Sequence, residues 1–214
     1  MTTAIILDAA HGKDVSGKRS PDGLHREYYW SRERCFNIRK QLWIRNPGFE
    51  ALSPLCQVEN EIGLTERVKL YNEIAKDYSF TYVLSLHNDA EPKKTCDSEG
   101  WGKARGISVW TSRGEDESDP IATSLYNYLK VMFPNDKFRP AYWLSEKEKI
   151  KDPDWEANFT ILAGNKHIKP NYLANLLEWR FQTNKEDVSL LRNKVHNEHL
   201  EDMICNWLVG QFGR

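Results

Sequence analysis

A single α/β domain with a twisted, mainly parallel sheet and helices on both faces is the fold the sequence predicts, on three observations. Short apolar runs rich in β-branched residues stop at polar loops. Stretches with apolar residues at helical spacing follow them. The two kinds of segment alternate along most of the chain, as βαβ units do.

The first run, residues 4–7, stops at Asp8 and a loop of Gly, Lys, Ser and Pro, so strand one ends just before His11. From 31 to 44, Cys35, Ile38 and Leu42 recur among charges at the spacing of a helix with one buried face. Residues 49–55 read as a second strand, and 64–78 as a helix that Thr65 caps. Residues 81–87 are β-branched, aromatic and apolar, and break at Asn88 and Asp89. A polar loop over 91–102, a strand over 106–111 and a helix over 120–133 with Pro120 in its first turn come next. The charged stretch 134–170 has no steady period, and a strand is expected only around 159–162. Residues 172–179 give another strand, carrying Glu178 at its end, and 188–208 one long closing helix.

A chain of 214 residues with 40% hydrophobic and 12% aromatic side chains fills one core, and no repeat or linker divides it, so residues 1–214 are expected to be one domain. Thirty basic and 31 acidic side chains nearly cancel, which leaves no long-range field to recruit nucleic acid or an anionic membrane. No apolar run is long enough to span a bilayer, and the N-terminus lacks the pattern of a signal peptide. The expectation is a monomer made in the cytoplasm and not inserted in a membrane. Cys35, Cys56, Cys96 and Cys205 form no Cys-x-x-Cys pair, which argues against a thiolate zinc site and for reduced thiols.

Ligands of open α/β sheets bind beyond the carboxyl ends of the strands. Three such ends deliver His11, His87 and Glu178, and the loop after strand one delivers Glu27. Two imidazoles and a carboxylate with an open fourth position make a catalytic zinc shell, and a second carboxylate outside it serves as base. A lone loop histidine is more often structural; four such placements together point to a metallohydrolase.

The strings Leu-Asp-Ala-Ala-His-Gly at 7–12, Gly-Lys-Arg-Ser-Pro-Asp-Gly-Leu-His-Arg-Glu at 17–27, Ser-Leu-His-Asn-Asp-Ala at 85–90 and Glu-Trp-Arg-Phe-Gln-Thr-Asn at 178–184 resemble, in order and spacing, the zinc-dependent N-acetylmuramoyl-L-alanine amidases of the amidase 3 type. The resemblance implies a phosphorylase/hydrolase-like α/β fold, one Zn2+ held by His11, Glu27 and His87, and Glu178 as catalytic base. It implies peptidoglycan as substrate, cut at the amide between N-acetylmuramic acid and L-alanine. Without a signal peptide, the enzyme is expected to reach the wall after release by lysis or by an injection machine, a phage endolysin being favoured over an injected effector. The alternatives are a wall-binding module without activity and a zinc hydrolase of another amide.

This sequence departs from the family pattern at two places. Ala10 stands where a glycine usually precedes the metal histidine, which matters only if that position needs a positive φ. Arg180 stands for a glycine two residues after the base, and is expected to make the rim of the site more crowded and more cationic. Asp8, Asn88, Arg180 and Trp101 are the further candidates: Asp8 to orient a ligand histidine, Trp101 to stack on a sugar face. His25 competes with Glu27 as a ligand, whereas His167, His196 and His199 read as surface or packing residues.

Overall fold

A computed structural model describes residues 2–141 and 152–213; residues 142–151 of the charged stretch 134–170 lie outside the described residues. The described elements are β1 (Thr3–Ala9), α1 (Glu27–Arg45), β2 (Glu50–Leu52), α2 (Leu64–Ala75), β3 (Phe80–Asp89), β4 (Ser108–Thr111), α3 (Asp119–Met132), β5 (Trp155–Glu156), α4 (Thr160–Ala163), β6 (Leu173–Phe181), α5 (Lys185–Leu191) and α6 (Lys194–Phe212). They build one sheet of order β2-β1-β3-β6-β4-β5. All neighbours in it are parallel except β4, which runs antiparallel to β6.

The centre of the sheet is β1, β3 and β6, and its residues are apolar on both faces because helices cover both. Ile5, Ile6, Leu7, Val83, Leu84 and Leu177 are fully buried, each worth about 1.5–3 kcal/mol relative to exposure. On one face α1 packs along α6, fastened by the Arg34–Glu201 ion pair and by Asn37, which donates to Glu201 Oε1 at 2.9 Å. On the other, α2 meets α4, with Tyr71 and Tyr172 edge to face at 6.1 Å. No described helix is long and apolar enough to cross a membrane. All four cysteines are free thiols.

Several boundaries differ from expectation, each for a local reason. Residues 159–162 are not a strand: Phe159 is the N-cap of the single-turn helix α4, and the strand of this region is the two-residue β5 before it. The closing helix is two helices. Asn184 accepts the amides of Glu186 and Asp187 to start α5, and Asn193 accepts that of His196 to start α6, so the chain turns at Arg192. Gly63, not Thr65, precedes the first turn of α2. Helix α1 starts four residues earlier than the periodicity indicated, which puts Glu27 at its first position. Its aligned N–H groups favour a carboxylate there.

Candidate functional site

The carboxyl ends of β1, β3 and β6 lie side by side, and the register fixes what faces what. Ala9 is opposite Leu86 across β1 and β3, and His87 is opposite Glu178 across β3 and β6. The chain leaves β1 through Ala10 into His11, whose φ is 46°. The left-handed residue of this loop is thus the histidine and not Ala10, so the alanine in place of glycine carries no strain. Gly12 must be glycine for a different reason: a Cβ there would lie 2.0 Å from the backbone nitrogen of Glu61.

Three side chains pin this loop. Ser31 of α1 accepts the Ala10 N–H at 2.8 Å and donates to Leu86 O at 2.6 Å, tying the ends of β1 and β3 together. Arg32 donates to Ala10 O at 3.0 Å, and Arg67 donates to Ala9 O. The result is that His11, Glu27 and His87 converge: their donor atoms all lie within 4.8 Å of one another. Glu27 Oε1 is 3.1 Å from His87 Nδ1 and 3.5 Å from His11 Nε2, and the two rings stand edge to face at 5.1 Å.

The fully buried Glu27 is held from both sides. Its Oε1 accepts the Asn88 N–H at 3.0 Å, and its Oε2 accepts from Gln182 Nε2 at 2.6 Å. Burial alone would raise its pKa, but the hydrogen bond and charge of His87, the charge of His11 and the Asn88 amide prevail and bring it down to about 2. The carboxylate stays ionised. Burial, against the pull of Glu27, lowers His11 to about 4, so its imidazole is neutral with a lone pair to offer. Two imidazole nitrogens and one carboxylate oxygen in reach of one point are a donor set that suits Zn2+.

Glu178 stands beside this group and outside it. It sits opposite His87 in register, and its Oε2 is enclosed without a hydrogen-bond partner. Burial, with repulsion from Asp89 and Glu27, pushes its carboxyl well above the usual range. His11 and His87 line a cavity of about 250 Å3 together with Asp8, Glu61, Leu64, Arg67 and Ile161.

The remaining candidates take other places. Asp8 bonds no imidazole among the described residues; it accepts from Arg67 at 3.0 Å, from Tyr71 at 2.6 Å and from Ser85, a buried knot beneath the cavity. His25 is buried with Nε2 2.8 Å from Asn88 Oδ1, which leaves it out of the donor group and under the residue that holds Glu27. Trp101 is half-buried in the 91–105 loop with the Lys185 ammonium 5.5 Å from its ring centre, and it does not line the cavity beside the histidines. His167 is exposed, His196 stacks on Trp179, and His199 lies on Phe133.

Arg180 is where the expectation fails most clearly. Between His87 and Phe181 the ladder shifts: two residues of β3 span what three residues of β6 span, a β-bulge with Arg180 at φ 70°. Its side chain is fully buried, paired with Asp136 and Asp187 and bonded to His196. It therefore adds neither bulk nor charge to the rim. The bulge does re-aim the following chain, and Gln182, which no sequence reasoning singled out, reaches Glu27 from there; its place in the 178–184 motif was the one available signal.

A family model described as N-acetylmuramoyl-L-alanine amidase matches residues 5–209 of this chain. Solved structures share its fold at low identity. An N-acetylmuramoyl-L-alanine amidase from Clostridium difficile 630 superposes with a TM-score of 0.73 at 18% identity, over 99% of this chain and 98% of that one. An amidase of the same name from Nostoc punctiforme gives 0.70 at 18% identity, over 97% and 95%. The catalytic domain of an endolysin targeting Clostridia difficile gives 0.59 at 15%, over 98% and 97%. No curated protein sequence matches the chain.

Proposed function

The chain belongs to the N-acetylmuramoyl-L-alanine amidase family, and from that premise we propose that it hydrolyses the amide joining N-acetylmuramic acid to L-alanine in peptidoglycan, with His11, Glu27 and His87 holding one Zn2+ and Glu178 as general base. The observation that carries the proposal is the convergence of three donor atoms within 4.8 Å beside a carboxyl that is outside their group and has an unpartnered oxygen.

Zn2+ bound by these residues supplies Lewis acidity, which polarises an amide carbonyl and makes water a better acid. Glu178 takes the proton from the attacking water, and the same carboxyl then returns it to the departing alanine nitrogen. Asn88 and Gln182 hold Glu27 turned toward the imidazoles. The φ of His11 and the Ser31 bridge fix where the first imidazole projects.

Digestion of purified sacculi tests the reading, with metal content measured on the same sample. The expected products are peptides with a new alanine amino terminus and uncut glycan strands, from protein carrying one Zn2+ per chain. Binding to sacculi without product would favour a wall-binding module, and cleavage of another amide or peptide with the same metal load would favour a different zinc hydrolase.

A further inference from the structure

A second group of carboxylates lies at the other end of the sheet. Strand β4 runs away from the histidines: Ser108 is opposite Glu178, Trp110 opposite Leu176, and Thr111 ends the strand beyond them. There the start of α3 and the segment leading into β5 bring Asp119, Asp152 and Asp154 together, each offering an oxygen within 4.8 Å of the others. We propose that these three carboxylates form a binding site for a hard divalent cation of the Ca2+ class, separate from the proposed zinc site and independent of it.

The geometry suits such an ion. Oxygens on opposite sides of one Ca2+, each about 2.3–2.6 Å from it, lie up to roughly 5 Å apart. All the donors are oxygens, with neither imidazole nor thiolate among them, which selects Ca2+ or Mg2+ over Zn2+.

An acidic cluster on a surface would mean little, but two of these three groups are buried, and among the described residues no cation faces them. Asp154 is fully buried, and Asp119 is only 7% exposed. Among the described residues, neither they nor Asp152 make an ion pair with a Lys, Arg or His, whereas the other fully buried carboxylates, Glu27 and Asp187, each face a cationic or imidazole partner. Asp119 spends Oδ2 on the Asp116 N–H at 2.7 Å, and among the described residues its buried Oδ1 and the Oδ1 of Asp152 have no hydrogen-bond partner. Native proteins leave few such oxygens unsatisfied, and an ion is one of the standard reasons. Asp154 is oriented by donors on both sides: Thr111 reaches its Oδ2 at 2.9 Å and Thr123 its Oδ1 at 3.1 Å. Burial and mutual repulsion push Asp154 to about 7 and Asp119 to about 6, so near neutrality the metal-free cluster bears charge that only a proton or a cation relieves.

Two tryptophans make the site readable by spectroscopy. Trp155 follows Asp154 directly, and its ring is 5.1 Å from that of Trp110, the neighbour of Thr111. Tb3+, an oxygen-seeking stand-in for Ca2+, added to zinc-loaded protein should give tryptophan-sensitised emission that saturates at one ion per chain and that Ca2+ displaces. Calcium alone should raise the melting temperature of the same protein. Asp152→Asn and Asp154→Asn should weaken Tb3+ and Ca2+ binding roughly tenfold or more, and their melting temperatures without Ca2+ should not fall, since each removes an uncompensated charge. His87→Ala should keep the Tb3+ signal, which separates this site from the proposed zinc site. Absence of Tb3+ emission and of any Ca2+-dependent melting shift in the wild type at millimolar ion overturns the proposal, as does undiminished binding in both Asn variants.

Discussion

Gln182 donates from Nε2 to Glu27 Oε2 at 2.6 Å and to Asn88 O at 3.1 Å, so one amide holds both a proposed ligand and the strand that bears His87. Removing an outer partner of a metal ligand typically lowers metal affinity 10–100-fold. We expect Gln182→Ala to weaken Zn2+ binding by about that factor, read by competition with a chromophoric chelator. Unchanged affinity would mean that Glu27 orients itself.

Glu178→Gln should separate chemistry from metal binding. It keeps the shape of the side chain opposite His87 but not its proton affinity. Release of alanine amino termini from sacculi should fall roughly 10²–10⁴-fold, with zinc content unchanged. His87→Ala should lose both. A fully active Glu178→Gln would assign the base elsewhere.

Arg180 sits at φ 70° with its guanidinium between Asp136 and Asp187. Its loss should destabilise by roughly 3 kcal/mol, the low end for a broken buried pair, because Arg105 stays within 3.8 Å of Asp187. Arg180→Gly should be milder than Arg180→Ala by about 1 kcal/mol, since glycine adopts that φ freely and alanine does not. Urea unfolding of the two variants gives the difference; equal midpoints would show that the backbone is not strained there.

The thiols should differ in reactivity. The hydrogen bond from Cys35, with help from Ser53 and the charges of Arg32 and Arg39, lowers Cys56 to about 7, whereas burial raises Cys35 well above the usual range. Because the thiolate is the nucleophile, iodoacetamide should label Cys56 with a rate that rises through about pH 7 and levels above it, and should leave Cys35 unlabelled in the native protein. Mass spectrometry of peptides from a pH series checks both; a Cys56 profile centred near 9 would contradict the environment described.

The parts of the fold that the sequence made legible are those whose signal is local. Buried central strands are apolar throughout, and β1, β3 and β6 stood out for that reason, as did the polar residues at their ends. Residues 159–162 misled because a short apolar run has no period of its own, and only contacts distant in sequence decide between strand and helix. The break at Arg192 was signalled by Asn193, a good cap residue overridden by the apolar pattern around it. That β4 runs antiparallel to β6 is a property of the loops that connect them. Arg180 was misplaced because a bulge depends on the register of two strands, which neither strand records alone.

Ser31 occupies both of its hydrogen-bonding roles at once, on the segments that carry the two imidazoles, and it projects from the helix whose first residue is Glu27. A small displacement of that helix therefore drags nitrogen and oxygen donors along as one body, and their mutual spacing is insulated from breathing of the outer strands.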